Sequence, residues 1–182
     1  MKCKKFFAAA AACLMVAGFA ACGNEPTPVN PDEKVFQIGI CQLVEHPALD
    51  EATRGFQEFL TEKLGDRVQF SVQNAQGEQT NCTTIVNQFV AAKVDLIMAN
   101  ATNAVKAARE ATSDIPIVGT SVTDYVSSGL VASNEAPGAN VTGASDMNPV
   151  NVQVDLMKTL CPTVKTVGIV INSGEENSAI QA

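Results

Sequence analysis

Tryptophan is absent from this sequence, tyrosine and histidine each occur once, and basic residues are outnumbered, 12 against 19 acidic ones, for a net charge of −7. Such acidity argues against nucleic acid as a partner and against a basic membrane-surface patch. A single histidine without paired cysteines makes a zinc centre a poor reading. No GxGxxG follows the first apolar run, so a dinucleotide site has no support, and no GxxxxGK[ST] is present to cradle phosphates. No GxSxG elbow occurs either, and a hydrolase built on Ser, Asp and His46 has no identifiable nucleophile. No metal, cofactor or catalytic residue is therefore expected.

The first 24 residues, "MKCKKFFAAAAACLMVAGFAACGN", place Lys2, Lys4 and Lys5 ahead of an uncharged stretch from Phe6 to Ala21. That is the layout of an export signal over residues 1–21, on the short side for a membrane span; the bland alternative is a buried Ala-rich helix. Ala20 and Ala21 directly before Cys22 look like a lipobox, which makes Cys22 the lipidated N-terminus and lipid the membrane anchor; Phe19 departs from the usual aliphatic residue. Loss of the three leader lysines takes the net charge to about −10. Residues 22–34 then form a Pro- and Asn-rich tether without apolar periodicity, or a tail of no function. Of six cysteines, Cys3 and Cys13 leave with the leader. Cys41, Cys82 and Cys161 remain, an odd number without CxxC spacing, and read as small buried hydrophobes; a single bridge among them stays open because an exported compartment permits it.

From Val35 the chain alternates strand and helix. "VFQIGICQLV", "RVQFSVQN", "VDLIMAN", "IPIVGTS", "ANVTGASD" and "TVGIVINS" have strand character. Between them, Leu49, Ala52, Phe56, Phe59, Leu60 and Leu64 recur at helical spacing up to Gly65. So do Cys82, Ile85, Val86, Phe89 and Ala92, then the Ala-rich "TNAVKAAREAT", and later Val150, Val154, Met157 and Leu160. Strict alternation predicts an α/β fold with a parallel, doubly wound sheet. Ligands of such sheets bind at the carboxyl ends of the strands. The loops there are short and rich in hydroxyls and amides, residue types that also serve as ordinary helix caps and turn formers.

Six ordered motifs, "VEHPALDEATRGF", "QNAQGEQTN", "VDLIMANAT", "DIPIVGTSVTD", "GANVTGASD" and "VGIVINSGEENS", together resemble the ABC-transporter substrate-binding lipoproteins of the tryptophan/tyrosine type, from about Val35 to the last residue. The resemblance implies a two-lobe clamshell of the type I periplasmic-binding class that captures an amino acid, an aromatic one by the family type, in the cleft between lobes. The ligand passes to a membrane permease with its ATPase, and the binding protein catalyses nothing. It divides the chain into a first lobe over 35–146 and a hinge plus the start of a second lobe over 147–182. Members of the family continue through most of a second lobe, so the chain reads as a truncated fragment whose last strand has an unprotected apolar edge.

By motif position, Glu45 and His46 sit on the rim where the first strand feeds a helix, with Pro47 suited to its first turn; the alternative is that His46 caps the helix or shapes the turn. Asn100, Thr102, Thr120, Ser121 and Thr123 are candidate donors to a ligand carboxylate. Asp124, Asp146 and Glu176 are candidate partners of its ammonium, and Asn172, Ser173 and Asn177 belong to the facing lobe. Tyr125, where relatives often have proline, is placed to stack on an aromatic ligand or to cover surface. A ligand-sensing module without a transport role shares this fold. A sugar or other small-solute receptor does too, although sugar sites commonly stack on aromatic rings.

Overall fold

The computed structural model describes residues 34–172 and 176–182. The expected leader, lipidated Cys22, all of the tether except Lys34, and Ser173 lie outside the described residues.

Five parallel strands form one sheet: β1 (Phe36–Gln42), β2 (Val68–Asn74), β3 (Leu96–Asn100), β4 (Ile117–Val122) and β5 (Val141–Ser145). Their spatial order is β2-β1-β3-β4-β5, all in parallel register. Helices α1 (Pro47–Leu64), α2 (Gln79–Ala92) and α3 (Thr102–Ala111) make the first three crossovers, as right-handed βαβ units require. Strand alternation sends Ile38, Ile40 and Met98 to one face, where Phe56, Leu60 and Leu64 of α1 cover them. Cys41, Ile97, Ala99 and Ile117 point to the other face, against Val86 and Phe89 of α2 and Val105 of α3. Gly39 lets α2 approach, since a Cβ there would lie 2.6 Å from the Phe89 ring.

The crossover from β4 to β5 has no helix. Residues 123–140 run as turns, anchored by buried Tyr125, Leu130 and Val131. The Tyr125 hydroxyl donates to the Ala144 carbonyl at 3.3 Å. The space for its ring exists because Gly119 and Gly143 face each other across β4 and β5, and a Cβ on Gly143 would run into the Gly119 carbonyl and the Tyr125 hydroxyl. Tyr125 is thus a wedge under the sheet edge, neither a surface cover nor a stacking platform.

Beyond β5, α4 (Val150–Leu160) and α5 (Glu176–Gln181) follow. Three sequence expectations need correction. "TVGIVINS" is not a strand: residues 166–172 pair with nothing in the sheet, and Ile169, Val170 and Ile171 are exposed. β propensity needs a neighbouring strand to be realised, and none flanks this segment among the described residues. Phe59 does not join the core face of α1; it is 58% exposed beneath Lys63. Cys161 is exposed at the C-terminus of α4, unlike buried Cys41 and Cys82.

Candidate functional site

The order β2-β1-β3 makes the chain leave β1 and β3 toward opposite faces of the sheet, which opens a crevice at their carboxyl ends. A cleft of about 260 Å³ lies there, lined by Leu43, Val44, His46 and Leu49 after β1, Ala101, Thr102 and Asn103 after β3, Ser121 of β4, Asp146 after β5, and Asn177 of α5.

Each wall is fixed from below. The Leu43 amide donates to the Asn100 carbonyl at 3.1 Å, the Ala101 amide to the Thr120 carbonyl at 3.0 Å, and the Asp146 amide to the Val122 carbonyl at 3.0 Å. A polar network holds the β1–α1 loop: Thr53 Oγ1 donates to Gln42 Oε1 at 2.7 Å, and Gln42 Nε2 donates to Asp50 Oδ1 at 2.6 Å and to the Val44 carbonyl at 2.9 Å. Asn100 Nδ2 completes it, donating to the Leu49 carbonyl at 2.7 Å and to Thr53 Oγ1 at 2.9 Å.

At the joint before α1, His46 has an extended backbone and its Nδ1 accepts from the Ala48 amide at 3.2 Å, with Pro47 at the first helical position. It therefore caps α1 and lines the cleft at once. Opposite it, α3 starts from Ala101 at φ 92°, ψ 155°, a region occupied almost only by glycine. Ser121, at φ 54°, is in a bulge: β4 advances from Gly119 to Val122 while β5 advances from Gly143 to Ser145. Both irregular residues line the cleft. The first-turn amides of Thr102 and Asn103 have no acceptor within their helix, and the positive end of the α3 dipole faces the same space. Asp146 supplies the one carboxylate among the lining residues.

The structure thus gathers His46, Thr102, Ser121, Asp146 and Asn177 around one cleft. Glu45 lines a separate hollow with Gln42, Asp50 and Arg54. Asn100 is fully buried behind the wall. Thr120 contributes its carbonyl to the Ala101 amide. Thr123 is buried, its carbonyl accepting from Ser145 Oγ and its hydroxyl from Gln181 Nε2 at 3.1 Å. The Asp124 carboxylate accepts from the Val126 and Ser127 amides and the Ser127 hydroxyl; these bonds, the Ser127 amide foremost, hold it below the usual carboxylate range. The Asn172 amide donates to Ser178 Oγ, and Glu176 begins α5. Sequence reasoning did not nominate Leu43, Val44 or Leu49, and reached Ala101 and Asn103 only as members of the loop after the third strand; the switch-point rule applied to the strand order would have found all five, but strand order is not written in local pattern.

The sequence pattern of the ABC transporter substrate binding protein family matches residues 37–182. The chain belongs to that family. The chain is 46% identical over 152 residues to the tyrosine-binding protein of Clostridioides difficile (strain R20291), covering 82% of this chain and 44% of that protein. Among solved structures it is similar to an ABC domain from Streptococcus pneumonia in complex with L-Trp, at 40% identity and TM-score 0.76, covering 80% of this chain and 50% of the other. It is also similar to a ligand-free, open substrate-binding protein with adhesive properties from Clostridium difficile, at 43% identity and TM-score 0.69, covering 81% and 51%. The chain spans about half the length of these relatives. The α/β fold is that of type I periplasmic-binding proteins, and the family consists of extracytoplasmic binding proteins of ABC transporters.

Proposed function

We propose that this chain forms one wall of the amino-acid site of an ABC importer's solute receptor, held outside the cell membrane by lipid on Cys22, and that it hands its ligand to a permease and ATPase. Residues 35–146 act as the first lobe and 147–182 as the hinge and start of the second, with no reaction catalysed. The observation that carries this reading is the pairing, across one cleft, of the α3 N-terminus with Asp146. An α-amino acid has a carboxylate and an ammonium separated by one carbon, so an anion-binding helix end facing a carboxylate matches both ends. Leu43, Val44 and Leu49 give the same cleft an apolar side, suited to an apolar or aromatic side chain. The tyrosine- and tryptophan-binding relatives support an aromatic one.

The test is thermal unfolding and calorimetric titration of this chain joined to the remaining half of a relative. L-tyrosine, L-tryptophan and L-phenylalanine are expected to raise the melting temperature by linkage. Their methyl esters, which lack the carboxylate, are expected to have no effect. An equal response to the esters, or a response to sugars alone, overturns the reading. Lipid on Cys22 is read separately, by labelled fatty acid that enters the native chain and not Cys22→Ser.

A further inference from the structure

Among the 18 residues of α1, the one that is buried is a threonine, Thr53. It is met by Gln42 and Asn100, the last residues of β1 and β3, which stand at the same register level of the sheet. The direction of every hydrogen bond among the three is forced. Asn100 Nδ2 and Gln42 Nε2 each face a main-chain carbonyl, of Leu49 and of Val44, and a carbonyl only accepts, which fixes the orientation of both amides. The second Asn100 hydrogen goes to Thr53 Oγ1, the Thr53 proton to Gln42 Oε1, and the second Gln42 hydrogen to Asp50 Oδ1. No donor hydrogen of the three side chains is left over, so the network holds one arrangement. None of the three is among the lining residues of the cleft, but Val44 and Leu49, whose carbonyls they grip, both are.

We propose that Gln42, Thr53 and Asn100 are positioning residues that determine which amino-acid side chain the cleft accepts, a role that rests on the amino-acid reading above. The α3 N-terminus and Asp146 serve the two charged groups that every α-amino acid shares. Val44 and Leu49 belong to the apolar side of the cleft, which meets the part of the ligand that differs. The network holds this wall at both ends, by the Val44 carbonyl and by the Leu49 carbonyl, while residues 45–48 between them are exposed. Asn100 also leads directly into Ala101 and Thr102 of the opposite wall, so its bond to Leu49 sets the spacing between the two walls. An apolar pocket distinguishes ligands that differ by one methylene by about tenfold or more, and a wall that shifts by that width changes the preference of the site.

Three variants test this. Thr53→Val keeps the branched shape and removes the hydroxyl, and Thr53→Ser keeps the hydroxyl. Asp50→Ala, at the exposed end of the network, removes an acceptor of Gln42 without entering the core. With the fold of each checked by circular dichroism, amide hydrogen exchange over residues 43–50 of this chain is expected to be about tenfold faster in Thr53→Val, faster by less in Asp50→Ala, and unchanged in Thr53→Ser. In the chain joined to the remaining half of a relative, the ratio of L-tryptophan to L-phenylalanine affinity, read by calorimetry, is expected to shift about tenfold in Thr53→Val and to stay within about twofold of wild type in Thr53→Ser. An unaltered ratio in folded Thr53→Val overturns the proposal whatever the melting temperature does, because a network that serves stability alone leaves preference untouched. If Thr53→Val does not fold, Asp50→Ala decides by the same two readouts, and no change in either overturns the proposal. A wild-type joined protein that binds no amino acid, with residues 43–50 still loosened in Thr53→Val, sinks the amino-acid reading and leaves the placement of the wall by the network standing.

Discussion

The side-chain amide of Asn100 donates to the main-chain carbonyl of Leu49 at 2.7 Å, so the end of β3 holds the first turn of α1 in place. Because Asn100 is fully buried and also donates to Thr53, Asn100→Ala removes two hydrogen bonds that tie β3 to α1. The expected loss is about 1–3 kcal/mol in urea unfolding, about 0.5–1.5 kcal/mol for each bond. A change within a few tenths of a kcal/mol would mean that water replaces the amide.

Ala101 holds φ 92° at the start of α3, a conformation that costs a non-glycine residue about 1–3 kcal/mol. Ala101→Gly is therefore expected to stabilise the fold, against the usual sign for glycine, by about 1 kcal/mol after the added chain entropy. Equilibrium denaturation reads the sign, and a destabilised variant contradicts the strain.

Gly143 and Gly55 make an internal contrast. A methyl group on Gly143 meets the Gly119 carbonyl, whereas one on Gly55 meets nothing within 4 Å. Gly143→Ala is expected to cost about 3 kcal/mol by forcing β4 and β5 apart. Gly55→Ala, in the exposed middle of α1, is expected to add about 1 kcal/mol. Melting temperatures that move in the same direction would refute the contrast.

His46 combines two roles that one pair of substitutions separates. His46→Asn keeps a side-chain acceptor for the Ala48 amide, and His46→Ala does not. The alanine variant is expected to lose about 1 kcal/mol of stability while the asparagine variant stays near wild type. Both remove the imidazole from the cleft, so in the joined two-half protein a ligand contact by the ring appears as weaker affinity in both.

Tyr125 titrates late: burial first, and then the negative charge of Asp146, push its phenol up to about 12 from the ordinary 10.0. The unfolded chain releases the proton first as pH rises, so the stabilisation is fully present below about pH 10 and is lost as pH climbs through about 12. Tyr125→Phe is expected to remove that alkaline slope. Since the chain has one tyrosine and no tryptophan, phenolate absorbance reports this group alone, and an ionisation near 10 in folded protein would contradict its burial.

Local periodicity was enough to read the alternation and the α/β class, because Ile38, Ile40, Phe56, Leu60 and Leu64 announce their faces within a few residues. It failed where an outcome depends on distant partners. Thr53 is buried because Gln42 and Asn100 meet it, 11 and 47 residues away, and no window of sequence contains all three. Asn100 reads as a cleft donor from its place at a strand end; its amide is instead turned inward to Leu49. Tyr125 reads as a surface or stacking ring because the two glycines that make room for it are 24 residues apart. The cleft was legible as a set of loops, but which loops meet follows from strand order.

Residues 166–172 carry no charge and no proline, and Val170 is fully exposed between exposed Ile169 and Ile171. An apolar segment that pairs with no strand among the described residues is a template for another copy of itself.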